Sequence, residues 1–159
     1  MADDLIITAS TKEEKYQQLI PQIKALVLGE EDAIANMANV CAALKFGLDF
    51  FWVGFYLVKD NQLVLGPFQG PVACTRISSG KGVCGTAWQK AKTIIVADVE
   101  KFEGHIACSS LTKSEVVVPI LNNNNSVIGV LDVDSDELNS FDEIDEKYLK
   151  EILNLLYFN

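Results

Sequence analysis

Phe51-Trp52-Val53-Gly54-Phe55-Tyr56-Leu57 decides the fold: it is dense in aromatic and branched residues, and Lys59-Asp60-Asn61 separates it from a second apolar-rich run, Gln62 to Phe68. Aromatic and branched residues suit a pleated surface, and Asp-Asn in a short connection suits a tight turn. The two runs therefore read as a β-hairpin. Alternation along the first strand places Trp52 and Gly54 on one face and Phe51, Val53 and Phe55 on the other. Trp52 there reads as a packing residue or as the wall of a pocket. The apolar run from Phe50 to Val58 is about half the length of a membrane-spanning helix and contains Gly54, so it reads as a buried strand.

Two helical segments precede the hairpin. Thr11-Lys12-Glu13-Glu14 has a capping-box pattern, and Tyr16, Leu19, Ile20, Ile23, Leu26 and Val27 have helical spacing, with Pro21 expected to kink or divide the helix. After Gly29, the acids Glu30, Glu31 and Asp32 suit the positive end of a second helix. Its apolar stripe is Ile34, Met37, Val40, Cys41 and Leu44, so Cys41 reads as a buried packing residue.

Downstream, Ala73 to Ile77 reads as a further extended stretch with Cys74 at its start. Ser79-Gly80-Lys81-Gly82 then leads to a short helix over Val83 to Lys92, and Thr93 to Ala97 is extended again. Asp98 to Thr112 has no periodicity and holds Gly104, His105 and Cys108, which suggests an irregular functional loop with one helical turn. Glu115 to Leu121 and Ser126 to Asp134 read as strands joined by a turn of four Asn residues, Asn122 to Asn125. Ser140-Phe141-Asp142-Glu143 reads as a second capping box, opening a terminal helix marked by Ile144, Tyr148, Ile152, Leu155 and Leu156. This order predicts one α+β domain over residues 1–159, with a largely antiparallel central sheet.

Composition narrows the function. The net charge is −9 with only 13 basic residues and no block of them, which argues against nucleic acid and anionic membrane surfaces as partners. The start Met1-Ala2-Asp3-Asp4-Leu5 is acidic where a secretory signal is basic, so a cytoplasmic protein is expected. In that reducing compartment the four cysteines are expected as thiols. Cys74 and Cys84 are ten residues apart and Cys108 follows 24 later, without a close Cys-x-x-Cys pair and with a single histidine. These spacings lack a zinc signature, and no metal or cofactor is expected. They suit a reaction in which one thiol attacks and another resolves the oxidised product.

All three thiols have features that could activate them. Cys84 follows a Gly-x-Gly turn at a helix start, where the helix dipole lowers a thiol pKa. Cys108 lies beside Ser109 and Ser110 with His105 three residues before it, and Cys74 lies near Arg76. Glu115 opens one strand, and Asp132 and Asp134 alternate along another so that they share a face. Neighbouring carboxyls in a partly buried pocket raise one another's pKa, and one of them can then serve as an acid. Asp134 also reads as a strand end meeting solvent.

At this point the sequence resembles the free methionine-(R)-sulfoxide reductases, a family built on a GAF domain. The similarity is carried by Leu19-Ile20-Pro21-Gln22-Ile23, Phe51-Trp52-Val53-Gly54-Phe55-Tyr56, Leu65-Gly66-Pro67-Phe68-Gln69-Gly70, Ala73-Cys74-Thr75-Arg76-Ile77 and Gly82-Val83-Cys84-Gly85. It continues through Gly104-His105-Ile106-Ala107-Cys108, Ser114-Glu115 and Val130-Leu131-Asp132-Val133-Asp134-Ser135. The resemblance implies a six-stranded antiparallel GAF sheet flanked by helices and a pocket closed over one free amino acid. It implies Cys108 as nucleophile, a Cys74–Cys108 disulfide, and a resolving or relay role for Cys84. It also implies Trp52, Glu115, Asp132 and Asp134 as substrate-binding residues. Thioredoxin is the implied reductant, and a homodimer is the implied assembly. A GAF domain that binds a small ligand or senses oxidants without turnover is the alternative, since a fold does not establish an activity.

Overall fold

The computed structural model describes residues 4–158, so the acidic Met1-Ala2-Asp3 start lies outside the described residues. The aromatic run of 51–57 becomes β1 (Trp52–Lys59), which turns through Asp60 and Asn61 into β2 (Gln62–Gln69). Both turn residues have positive φ, 49° and 58°, the geometry that matches the twist of a two-residue hairpin. Two helices precede the hairpin, α1 (Lys12–Val27) and α2 (Ala33–Leu48). After it come β3 (Arg76–Ile77), α3 (Gly82–Lys90), β4 (Ile94–Val96), a 3-10 turn (Val99–Lys101), β5 (Ser114–Leu121), β6 (Val127–Ser135) and α4 (Glu143–Leu153). The six strands form one sheet in the order β3-β2-β1-β6-β5-β4, with every adjacent pair antiparallel.

Alternation along the central strands divides the core in two. Val53 and Phe55 of β1, Val116 and Val118 of β5, and Leu131 and Val133 of β6 pack with α1, α2 and α4. Trp52 and Tyr56, Val117, and Val130 point the opposite way, toward Val83, Cys84 and Ala87 of α3. The first face is a closed apolar layer. The second is covered by only one short helix and by loops, and this is where polar side chains collect.

The helix ends show which side chains satisfy the free backbone groups. Thr11 caps α1 and Asp32 caps α2, each side chain accepting from a backbone N–H of the first turn. In α4 the capping box is Asp142 with Asp145, rather than the expected Ser140 with Glu143. Ser140 is engaged elsewhere: its hydroxyl donates to Ser135 Oγ at 2.7 Å and its N–H donates to Ser114 Oγ at 3.2 Å. Asp145 is fully buried and accepts from Tyr16 Oη at 2.8 Å, Lys12 Nζ at 2.6 Å and the Asp142 N–H at 2.9 Å. It thereby ties α1 to α4. Asp145→Ala leaves the Tyr16 hydroxyl and the Asp142 N–H without their acceptor, and a loss of about 3 kcal/mol in urea unfolding is expected.

Three expectations for the elements are corrected or narrowed. Of the two outcomes expected at Pro21, division is excluded, since helix α1 runs through it. Pro21 and Gln17, the residue four positions before it, are both exposed, so water can solvate the carbonyl that loses its helical partner. Ile34 is 64% exposed and does not belong to the buried stripe, which in α2 starts at Asn36 and Met37. The extended stretch near Cys74 is only Arg76–Ile77, paired with Leu63 and Val64 of β2, so Cys74 lies in the connection before the strand.

Candidate active site

Strand register brings the acids together. Across the sheet, Trp52 of β1 pairs with Asp134 of β6, which pairs with Glu115 of β5; in the next row on the same face, Gly54 pairs with Asp132, which pairs with Val117. Two adjacent rows on one face therefore hold one tryptophan, three carboxyls and a glycine. The glycine makes room. A Cβ at Gly54 would lie 2.6 Å from Phe68 Cβ and closer still to the Trp52 ring, so a side chain there would push the indole out of place. Trp52 is further held by stacking on Phe68, with centroids 5.4 Å apart, and by its indole N–H donating to the Pro71 carbonyl at 2.9 Å.

Helix α3 and two connections roof these rows. Cys84 is the third residue of α3 and is 4% exposed, with its thiol donating to Glu115 Oε1 at 3.9 Å. The loop after the 3-10 turn is latched to the start of α3 by the Gly82 N–H, which donates to the Gly104 carbonyl at 3.1 Å. That loop carries His105 and Cys108. The connection before β3 carries Cys74, whose carbonyl accepts from Tyr56 Oη at 2.8 Å. Cys74 and Cys108 are joined by a disulfide, with their Cα atoms 5.2 Å apart. Cys41 and Cys84 are the free thiols, and Cys41 is buried away from this face, donating to the Pro67 carbonyl.

Together these parts form a cavity of about 40 Å³, lined by Trp52, Tyr56, Cys84, Cys108, Glu115, Asp132 and Asp134, with Lys81, His105 and Thr112 also on its wall. A space of that size holds roughly three water molecules. Glu115 and Asp132 are buried and Asp134 is half-buried. Burial pushes all three carboxyls up, Asp132 to about 7, and the Asp132 charge adds to the rise at Glu115 and Asp134. Desolvation alone disfavours the charged form, and carboxyls crowded together disfavour it more. The cluster therefore holds protons near neutral pH.

Of the expected site residues, Trp52, Cys84, Cys108, Glu115, Asp132 and Asp134 line this one cavity, and Cys74 is bonded to Cys108. The local expectations for the thiols change. The α3 start does not lower the Cys84 thiol: burial pushes it well up, and the charges of Asp132, Glu115 and Asp134 push it further. Arg76 does not serve Cys74, since its guanidinium donates to Gln62. Burial lowers the pKa of His105, which favours the neutral ring. Cys84 Sγ and one oxygen each of Glu115 and Asp132 lie within 4.8 Å of one another.

Tyr56 was not foreseen as a site residue, although its period-two relation to Trp52 and Gly54 places it on the same face. Its ring lies 6.1 Å from that of Trp52, and its hydroxyl fixes the Cys74 backbone. Thr112, which lines the cavity and moderates the rise in the Asp134 pKa, had no signal in the sequence.

Comparison with known proteins agrees with this geometry. A family model described as GAF domain matches residues 30–158. The chain is 68% identical to GAF domain-containing protein A of Dictyostelium discoideum, over 98% of this chain and 99% of that protein. It is 45% identical to the free methionine-R-sulfoxide reductase of Escherichia coli, over 89% of this chain and 86% of the relative. Among solved structures, free methionine-R-sulfoxide reductase from Neisseria meningitidis in complex with its substrate is 51% identical, with a TM-score of 0.93 over 98% of this chain and 93% of that one. Sequence similarity over nearly full length and the same backbone lead to one family: this chain belongs to the GAF-domain free methionine-R-sulfoxide reductases, a group of oxidoreductases.

Proposed function

We propose that the protein reduces free L-methionine-(R)-S-oxide to L-methionine, with Cys108 as nucleophile and Cys74 as resolving thiol. The observation that carries this reading is the Cys74–Cys108 disulfide at the edge of a cavity lined by Trp52 and three carboxyls whose proton affinity burial raises. The Cys108 thiolate attacks the sulfoxide sulfur while Glu115 or Asp132 delivers a proton to the oxygen, which is a poor leaving group unless protonated. The new S–S bond then breaks as the protonated oxygen passes from the substrate sulfur to Cys108 Sγ, so that the substrate sulfur gains two electrons and leaves as methionine while Cys108 carries the oxygen as a sulfenic acid. Cys74 then attacks Cys108 Sγ, water departs, and the disulfide forms. A dithiol reductant of the thioredoxin type returns both thiols by exchange.

Trp52 offers an apolar wall to the substrate methyl while the acids face its oxygen, which distinguishes the R from the S epimer. The remaining carboxylate pairs with the substrate ammonium. A cavity roofed by α3 and two connections suits a free amino acid better than a peptide. Substrate is expected to bind the reduced form, in which Cys108 is no longer tied to Cys74. The cycle needs a reducing compartment, which places the protein in the cytoplasm; no helix of the described residues is long and apolar enough to cross a membrane. A homodimer belongs to the same reading.

Thioredoxin-coupled NADPH consumption tests the proposal, with free R-sulfoxide, free S-sulfoxide and a peptide-bound sulfoxide as substrates. Turnover is expected with the first alone. No turnover with R, or equal rates with S, overturns the reading. Because the acid must be protonated and Asp132 sits at about 7, its protonated fraction falls as pH rises through that value. The rate is therefore expected to decline on the alkaline side of neutrality.

A further inference from the structure

The Cys74–Cys108 bridge joins two connections, and both of them show apolar side chains to solvent. Val72, two residues before Cys74, is 88% exposed, the highest value for a large apolar side chain among the described residues. Ile106, two residues before Cys108, is 39% exposed, and Leu111, three residues after it, is 58% exposed. Val72 is held outward by its neighbours. The Pro71 carbonyl accepts from the Trp52 indole at 2.9 Å and the Cys74 carbonyl accepts from Tyr56 Oη at 2.8 Å, which pins the connection on both sides of it. The second connection is fixed by the Gly82 N–H donating to the Gly104 carbonyl and the Cys108 N–H donating to that of Ile106. Val72 and Ile106 border the same cavity as Cys108, so they flank one bond. Charge is arranged around it as well. Residues 70–75 and 105–112 contain no Asp or Glu in a chain that has 22, and Arg76 and Lys113, which follow them directly, are exposed. The acids of the site lie beneath, on the sheet. On a protein of net charge −9 this leaves a surface that does not repel an acidic partner.

We infer that this patch is the docking surface for a protein dithiol of the thioredoxin type, with Val72, Ile106 and Leu111 making the apolar contact around the bridge. The inference rests on the reductase reading above for its place in a cycle. The bridge itself identifies the occupant, because a disulfide is reopened by exchange with a dithiol. A partner thiolate attacks one sulfur of the bridge, and a mixed disulfide forms as the Cys74–Cys108 bond breaks. The partner's second thiol then attacks the partner's own sulfur in that mixed disulfide. The partner leaves oxidised, and Cys74 and Cys108 return as thiols with two electrons and two protons gained. Both cysteines are only half-buried, so a thiol carried on a protein surface can reach them if that surface rests on the residues beside the bond. Apolar side chains already held outward gain affinity by excluding water without being ordered first. A small dithiol needs no such contact.

Reduction of the oxidised protein tests this, followed by mass spectrometry of thiol-blocked peptides, with either thioredoxin or dithiothreitol as reductant. Val72→Asp and Leu111→Asp put a charge where the partner must exclude water. Each is expected to slow the thioredoxin reaction about tenfold, the scale of losing one well-packed interface contact, and to leave the dithiothreitol rate unchanged. Leu28→Asp, at the end of α1 on the other side of the sheet, is expected to change neither rate. Unchanged thioredoxin rates in both rim variants overturn the inference. So does equal slowing with dithiothreitol, which puts the effect on the bridge itself, or equal slowing by Leu28→Asp, which makes it one of added charge anywhere. A second measurement uses the parent protein alone: a mixed disulfide trapped with thioredoxin whose second cysteine is serine, examined by hydrogen exchange. Protection is expected over residues 70–74 and 105–111, and protection confined to other segments overturns the surface. Neither experiment needs a sulfoxide. A protein that fails to turn over methionine sulfoxide, yet shows the thioredoxin-specific slowing, keeps the docking surface and defeats the reductase reading instead.

Discussion

Cys108→Ser is expected to abolish methionine release, a loss of about a thousandfold or more, because oxygen transfer to the enzyme requires a sulfur that can become a sulfenic acid. A serine hydroxyl stays protonated at neutral pH and lacks the soft, polarisable electron pair of a thiolate. Cys74→Ser should behave differently. It should release one equivalent of methionine and then stop, with Cys108 held as a sulfenic acid that a dimedone probe labels. The pair is measured by quenching a single turnover without reductant and quantifying methionine per protein. A full equivalent from the Cys108 variant would show that another thiol attacks.

Glu115→Gln is expected to lower kcat by about a hundredfold, the usual scale for losing a positioned general acid. Glu115 is buried and its carboxyl is pushed well up by burial, then by Asp132 and Asp134, which favours the neutral acid. An amide matches it in shape and charge and keeps hydrogen-bond donors, so the fold should survive. What the amide lacks is a transferable proton. The effect should therefore fall on kcat more than on KM, and thermal unfolding of the variant should stay close to that of the parent protein. An unchanged kcat would assign proton delivery to Asp132, and Asp132→Asn should then carry the loss.

Much of this was legible before any coordinates, and the reason differs from residue to residue. The β1–β2 hairpin was readable because strand alternation and the Asp60-Asn61 turn are local properties, set within a few residues. The shared face of Asp132 and Asp134 follows from the same period of two. Misjudged features were those with competing partners at a distance. Ser140 looked like a cap but bonds Ser135 and Ser114, and Asp142 with Asp145 caps α4 instead. The α3 start looked like an activating site for Cys84 until the strands beneath it put carboxyls against the thiol. A helix dipole is a modest effect confined to the first turn, and full burial beside acids exceeds it.

By itself the sequence determined the α+β order of elements, the two faces of β1, the family through its motif strings, and the residue types a thiol reductase needs. It said which groups were available. Only the tertiary structure decided their distances: Glu115, Asp132 and Asp134 come from two strands and meet through register, while Cys84 and Cys108 approach from a helix and a loop above them. The physical reason is that proton affinity and thiol reactivity depend on burial and on neighbouring charge, and both are properties of the packed sheet face rather than of any one segment.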